Sequence, residues 1–277
     1  MPELPEVELV AQSLDRLVSK RKIVKAELLR EKLAPANSVV EFVVGVSNSI
    51  IETVGRRGKH ILFYFDSNRI LLTHLRMTGR FMLLSEERDL PKHAHAVFYF
   101  ADKDKLVFQD QRHFGMMKLI ESAQLAETKE LKCLAPEPLS DEFSIRYFRH
   151  ALSKSKRSLK EFLLDQTKVC GLGNIYAAEA LFLARVNPQT PADQVSATRA
   201  ENLYEAIRFV LSESIKHGST MNVNPENIDG SYYGGDYKGH WRVYAQAGNP
   251  CSTCQTSIAR IVQGVRSTFY CPKCQRR

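Results

Sequence analysis

The chain has 277 residues, 44% hydrophobic and 25% charged, an ordinary globular composition long enough for two cores, which excludes disorder on a large scale. With 39 Lys and Arg against 31 Asp and Glu its net charge is +8, and basic runs lie at Lys20 to Lys25, Lys154 to Lys160 and Arg276-Arg277, so a polyanionic partner, most often nucleic acid, is expected. No apolar stretch approaches the roughly 18 residues of a membrane span, and the acidic, helix-forming start is unlike a signal peptide, so a cytoplasmic protein with no membrane partner is expected.

The first eight residues, Met1-Pro2-Glu3-Leu4-Pro5-Glu6-Val7-Glu8, crowd proline and three carboxylates at the start of a helix. Removal of Met1, expected before a small residue such as Pro2, would leave a secondary amine at the terminus. Model α-amino groups have a pKa of about 7.7 to 8.0, so roughly a tenth would be unprotonated at neutral pH. Such an amine is a candidate nucleophile, with Glu3 beside it as general acid or base and Glu6 one helical turn along. The same residues also suit a plain helix start, with Pro5 near the first helical position and acids at the positive end of the dipole. Val7, Val10, Leu14 and Leu17 recur at helical spacing from Pro5 to about Ser19, so one stripe of this helix is expected to be buried.

From Val24 to Ile120 the pattern changes to eight short apolar or alternating runs separated by turn residues: Val24 to Leu29, Ile51 to Val54, Ile61 to Phe65, Ile70 to Leu75, Phe81 to Leu84, Ala96 to Phe100, Leu106 to Phe108 and Met116 to Ile120. They predict a β-sandwich or barrel-like domain. Gly55-Arg56-Arg57-Gly58-Lys59-His60 is a basic turn whose backbone could approach a phosphate, or a generic basic hairpin. His74, at the end of an apolar strand, reads by default as a core histidine. Met77, Arg112 and Phe114 fall in two strand-connecting loops; apolar side chains beside arginines there suit a wedge that fills a duplex gap, although Met77 or Phe114 taken singly suits a core equally well.

After Pro136-Glu137-Pro138 helical spacing takes over from about Ser144 to Lys216, placing a boundary near residues 132 to 140. Gly171-Leu172-Gly173-Asn174 interrupts two apolar helices and opens the second, an arrangement suited to a phosphate. Residues 218 to 240, rich in Gly, Asn, Asp and Tyr, show neither period and read as a long loop. Cys251-x2-Cys254 and Cys271-x2-Cys274, separated by sixteen residues, have the spacing of a closed four-thiolate zinc site, and Ser257 to Tyr270 between them reads as a hairpin too small to fold without its metal. The remaining two cysteines, Cys133 and Cys170, stand alone, which fits a reducing compartment.

The opening octapeptide, HLRMTG at His74 to Gly79, DQRHFG at Asp110 to Gly115, LAPEPL at Leu134 to Leu139, VCGLGNIYAAE at Val169 to Glu179 and the four C-terminal cysteines together resemble the formamidopyrimidine-DNA glycosylase family over essentially the whole chain. The resemblance implies an α+β fold: an N-terminal helix with a β-sandwich (residues 1–135), a helix-two-turn-helix domain with a lesion loop (136–240) and a zinc ribbon (241–277). It implies a bacterial cytosolic repair enzyme, acting as a monomer on damaged double-stranded DNA with one structural zinc. Pro2 would be the nucleophile, Glu3 the acid or base, Lys59 a catalytic-site lysine and Arg266 a hairpin arginine directed into DNA. Glu6 would orient the sugar or the helix start, and His74, Asn174 and Lys156 or Lys160 would contact phosphates. Met77 and Phe114 would intercalate while Arg112 bonds the orphaned base. Oxidised purines, chiefly 8-oxoguanine opposite cytosine and formamidopyrimidines, would be the substrates. The related endonuclease eight-type enzymes for oxidised pyrimidines typically have Gly where this chain has Leu4, so Leu4 and Phe114 favour the purine reading. A noncatalytic zinc-dependent DNA-binding protein would need none of the carboxylates. Ala178 stands where the family usually has Asp, and His217-Gly218-Ser219-Thr220 departs from its usual paired glycines, so base selectivity does not carry over.

Overall fold

The computed structural model describes residues 1–219 and 241–276; the loop expected at 218 to 240 lies almost wholly outside the described residues. The chain divides into two compact units, Met1–Lys132 in the first and Cys133–His217 with the C-terminal segment in the second.

The first unit begins with α1 (Leu4–Val18), followed by β1 (Ile23–Leu28), α2 (Val39–Val46), β2 (Ile51–Arg57), β3 (His60–Phe65), β4 (Arg69–His74), β5 (Gly79–Ser85), β6 (Ala94–Phe100), β7 (Asp104–Asp110) and β8 (Met116–Glu121). All eight predicted runs are strands. They form two four-stranded antiparallel sheets, ordered β1-β6-β7-β5 and β2-β3-β4-β8. Phe98 and Phe108 from one sheet, Phe63, Leu71 and Met117 from the other, and Val7, Val10 and Leu14 of α1 share a single core. That is the sandwich expected from alternating apolar runs.

Helix α2 has no counterpart in the sequence reading, because its run Val-Val-Glu-Phe-Val-Val-Gly-Val is β-branched and favours a strand. A capping box overrides that preference: Ser38 Oγ accepts Glu41 N at 3.1 Å and Glu41 Oε2 accepts Ser38 N at 2.8 Å.

The second unit contains α4 (Ile145–Ser153), α5 (Leu159–Leu164), α6 (Asn174–Leu183) and α7 (Ala197–Lys216), preceded in the first unit by the single turn α3 (Lys129–Lys132), and then a ribbon of β9 (Ala259–Gln263) and β10 (Arg266–Tyr270). Every residue of α6 from Tyr176 to Phe182 is buried, which is the pattern of a helix enclosed on all sides. Its Tyr176 hydroxyl meets Ser214 Oγ of α7 at 2.6 Å in the interior. The hairpin expected between the cysteine pairs is β9–β10, paired from Arg266–Gln263 to Tyr270–Ala259. Among the described residues no helix is long and apolar enough to cross a membrane.

Candidate active site and metal centre

Helix α1 delivers the amino terminus to the β2–β3 turn, because its buried stripe packs on the core and two polar ties fix its rotation. Asp15 Oδ1 accepts Val54 N at 2.6 Å and Thr53 Oγ1 at 2.9 Å, and Arg56 Nε donates to Glu8 Oε2 at 2.7 Å. The turn itself is a two-residue connection between Arg57 and His60, and its first residue, Gly58, has φ +59, the conformation that tight hairpins of this kind reserve for glycine. Lys59 follows, only 6% exposed.

At the start of α1, Glu3 and Glu6 are 3% and 2% exposed, and Glu3 N donates to Glu6 Oε2 at 2.8 Å. The terminal amine of this chain belongs to Met1, and Pro2 behind it is buried. Burial lowers the amine's pKa from 8.0; Glu3 and Glu6 oppose that, while Lys59 and Arg112 add to it. Two buried carboxylates and a buried lysine around an amine whose pKa is lowered make a setting suited to covalent catalysis.

His60 and His74 pair across β3 and β4, ring edge to ring face at 4.7 Å. Burial keeps both neutral, with His60 lowered to about 4 and His74 to about 2. His74 Nδ1 accepts Arg76 N at 2.9 Å, which places the ring proton of the neutral imidazole on Nε2. His74 is thus both a core histidine and a side chain with one donor to offer.

The β4–β5 and β7–β8 loops meet at Asp110, which is fully buried. Asp110 Oδ1 accepts the Thr78 hydroxyl and Arg112 N, the latter at 3.1 Å, and Oδ2 accepts Gly115 N at 2.6 Å. Burial alone would raise this carboxyl's pKa, but the bonds from Thr78, Gly115, Arg112 and Phe114 hold it below the usual value. One carboxylate therefore shapes both loops. On them Met77 is 38% and Phe114 55% exposed, Arg112 Nη1 lies 3.1 Å from Met77 Sδ, and the guanidinium sits 5.2 Å from the centre of the Phe114 ring. The three side chains form one exposed cluster.

In the second unit the Sγ atoms of Cys251, Cys254, Cys271 and Cys274 all lie within 4.8 Å of one another, with 3.9 Å between Cys251 and Cys274 and 3.4 Å between Cys254 and Cys271. Zinc–thiolate bonds of about 2.3 Å put tetrahedral sulfurs roughly 3.8 Å apart, so these four fit one structural zinc. Their proton affinities are pulled apart: Thr256 brings Cys254 down to about 6, while burial and the neighbouring sulfurs push Cys274 up to about 12. Four thiolates so close together need a dication to coexist.

Sequence models for the formamidopyrimidine-DNA glycosylase N-terminal domain, the formamidopyrimidine-DNA glycosylase H2TH domain and the zinc finger found in FPG and IleRS match residues 1–117, 134–224 and 248–277. The chain belongs to the formamidopyrimidine-DNA glycosylase family. Among its curated relatives, the formamidopyrimidine-DNA glycosylase of Heliobacterium modesticaldum is 41% identical and that of Streptococcus pneumoniae 38%, each alignment covering 100% of both chains. A Lactococcus lactis Fpg bound to DNA containing an abasic site superposes with a TM-score of 0.92 at 31% identity, covering 99% of this chain and 100% of that one. A point mutant of the same enzyme bound to DNA containing Fapy-dG also superposes at 0.92 with 31% identity, over 100% of both chains.

With the family in view, the fold is α+β, an N-terminal helix on a β-sandwich followed by an H2TH unit carrying a zinc ribbon. The structure gathers Pro2, Glu3, Glu6 and Lys59 at the terminus of α1, and Met77, Arg112 and Phe114 on the paired loops. In the second unit Lys156 is exposed, whereas Lys160 is 1% exposed. Gly173 contributes no capping side chain to α6, and Asn174 Nδ2 donates to Ser267 O at 3.0 Å, tying that helix start to β10. Arg266 is exposed directly after the Gly264-Val265 turn, whose residues have φ +49 and +60. Ala178 packs among Val243, Cys251, Ile258 and Cys271, so the ribbon meets this face of α6 through apolar contact.

Two organising carboxylates escaped the sequence reading although both end or open a quoted motif. Asp110 is one. Glu179 is the other: 1% exposed on α6, it accepts Arg242 N, Val243 N and Tyr244 N, each at 2.9 Å, and so anchors the segment entering the ribbon. The sequence signal for both was an acid inside an otherwise apolar or turn-forming motif, a position where a carboxylate survives only if hydrogen-bonded.

Proposed function

We propose that this chain is a base-excision repair glycosylase and abasic-site lyase for oxidised purines, 8-oxoguanine and formamidopyrimidines, with Pro2 as nucleophile once Met1 is removed. The observation that carries this reading is that Pro2, Glu3, Glu6 and Lys59 are buried together at the start of α1, where burial lowers the pKa of the Met1 amine that precedes Pro2.

The Pro2 nitrogen attacks C1′ of the damaged nucleotide and the bond from C1′ to the base breaks, the base leaving with a proton. The product is an iminium between Pro2 and the opened sugar, and its positive charge acidifies C2′. Loss of the C2′ proton expels the 3′ phosphate, and a second elimination expels the 5′ phosphate. Glu3, adjacent to the amine, moves protons in these steps, and general acid–base assistance of this kind contributes about 10² to 10⁴ in rate. Glu6 fixes the helix start through its bond to Glu3 N, and Lys59 lies within the electrostatic field of the amine.

Met77 and Phe114 would fill the gap left by the extruded nucleotide, Arg112 would bond the base left behind, and His74 would donate from Nε2 to a phosphate. Lys156, Asn174 and Arg266 are the DNA contacts of the second unit. Three functional parts follow: a catalytic part at 1–135, an H2TH part with its loop at 136–240 and a ribbon at 241–277, working as a cytoplasmic monomer on damaged duplex DNA.

The deciding experiment is borohydride reduction during turnover on a lesion-containing duplex, followed by peptide mapping and intact mass of the free protein. The expected adduct is on residue 2 of a chain lacking Met1. An adduct on Lys59 would move the nucleophile elsewhere.

A further inference from the structure

His113 sits between Arg112 and Phe114 with φ +60, in the left-handed region. A residue with a side chain is strained there, although histidine tolerates it better than most. The ring of His113 explains how the turn is held. Its Nδ1 lies 2.9 Å from Nε2 of His95, and the two rings are nearly parallel, 4.9 Å between centres with 12° between planes. His93 closes the group edge-on to His113 at 5.5 Å. The anchor is firm: His95 lies on β6, is 3% exposed, and its carbonyl accepts Leu29 N at 2.9 Å and Arg30 N at 3.2 Å. His113 itself is exposed. None of the three histidines has a part in the chemistry described above.

We propose that His113 is a positioning residue for base recognition: bonded to His95, it locks the left-handed turn that presents Arg112 to the base opposite the lesion. This rests on the reading of Arg112 as the contact to that base. If the turn also samples other conformations, Arg112 is in place only part of the time, and its apparent contribution falls by that fraction.

The bond between the rings needs one nitrogen with a proton and one without. Two neutral rings supply that, as does one neutral and one charged ring, but two imidazolium rings do not. The charged and titratable groups facing the pair are Asp110, Arg30 and His93, with Arg112 on the loop itself. Burial lowers the pKa of His95; His113, Arg30 and His93 act in the same direction, and Asp110 opposes them. Burial thus favours the neutral form of His95, whose ring can share one proton with Nδ1 of His113.

The test is single-turnover excision of 8-oxoguanine opposite cytosine and opposite adenine by the full-length protein at pH 7.5. His113→Ala, His95→Phe and Arg112→Ala are compared with the unaltered protein. Expected is a fall in cytosine preference of roughly three- to tenfold in His113→Ala and His95→Phe, a part of what a whole base contact is worth. The loss should fall on excision opposite cytosine and leave excision opposite adenine about as fast as in the unaltered protein, which a merely structural role for the ring would not produce. Because His95 is buried, its variant is first checked for an unchanged melting midpoint; His113 is exposed, so its variant decides if the other does not fold. If His113→Ala keeps the cytosine preference while Arg112→Ala loses it, the lock is wrong and the base contact stands. If Arg112→Ala also keeps it, both are wrong.

Discussion

Gly79 and Gly115, the last residues of two separate motifs, face the same ring: a Cβ on either would lie 2.7 Å from Cζ of Phe108. Phe108 is fully buried in the sandwich core, so the β4–β5 and β7–β8 loops close onto one core side chain and can approach each other only because both positions lack a side chain. Gly115→Ala would force Phe108 aside, an overpacking that costs about 1 to 3 kcal/mol. At Gly79 a Cβ would also lie 2.5 Å from the backbone oxygen of Leu75, which has less freedom to yield than a ring. Thermal unfolding should therefore show Gly79→Ala as the more damaging change, with both variants slower in base excision. If both melt and turn over like the unaltered protein, the shared ring does not set the loop spacing.

Much of this was legible in the sequence because the signals are local. The eight strands follow from short apolar runs between turn residues, and the zinc centre from two CxxC pairs, since neither depends on knowing what lies across the fold. What was not legible depends on distant partners or on competing local preferences. Helix α2 hid behind a β-branched run whose cap, Ser38 with Glu41, outweighs its side-chain preference. Asp110 was quoted within its motif, but its role exists only once Thr78 arrives from another loop. The bond between His95 and His113 joins residues eighteen positions apart that share no periodic pattern.

Glu3→Gln keeps the size of the side chain and removes its charge and its capacity to move a proton. Base excision needs the full cleavage of the bond to the base, whereas cleavage of a preformed abasic site begins from an aldehyde that the amine can attack directly. Excision should fall about a hundredfold or more, within the range for a lost general acid or base. Abasic-site cleavage should fall less. Equal losses on the two substrates, measured under single-turnover conditions, would assign Glu3 to a step common to both.

Cys271→Ser removes one of four thiolates and leaves no protein ligand to replace it. The ribbon has only two five-residue strands and depends on its metal for closure, though Gln275 also fastens it through bonds to Cys271 N at 2.8 Å and Val186 O at 3.0 Å. Zinc content and duplex affinity should be lost together, while the sandwich, whose core is separate, keeps its strand signal in circular dichroism. A variant without zinc that still bound and cut DNA normally would show that the ribbon has no part in binding.

The neutral pair His60 and His74 makes folding sensitive to acid. His60 has a folded pKa of about 4, against about 6.5 for an unfolded histidine, so between those values the unfolded chain takes up a proton that the folded chain does not. Stability is then lost as pH falls through that window, by about 1.4 kcal/mol per pH unit for one histidine. His60→Phe preserves an edge-to-face ring against His74 and removes the two ring nitrogens that take up the proton. The variant should match the unaltered protein near pH 7.5 and melt about 4 to 8 °C higher at pH 5, where roughly 2 kcal/mol of the penalty is gone. Identical melting curves at pH 5 would mean that His60 titrates normally in the folded state.

Arg112 and Phe114 share a loop and touch each other, yet their chemistry separates what each can contribute to recognition. Extruding a nucleotide costs a few kcal/mol of stacking and pairing, which inserted side chains partly offset. Phe114 and Met77 can fill space, but neither can distinguish one base edge from another. A guanidinium has five donors and no acceptor, so it bonds the acceptors of cytosine and meets the exposed amino group of adenine donor to donor. A good bidentate base contact is worth about 1 to 3 kcal/mol, which gives cytosine an advantage of roughly tenfold to a hundredfold. Arg112→Ala should weaken excision of 8-oxoguanine opposite cytosine and flatten that preference, and it also removes the cation from the face of Phe114. Phe114→Ala should slow excision opposite cytosine and adenine about equally, because it removes filling without removing reading. Single-turnover rates on the two duplexes separate these outcomes, and a preference lost in Phe114→Ala but intact in Arg112→Ala would reverse the two assignments.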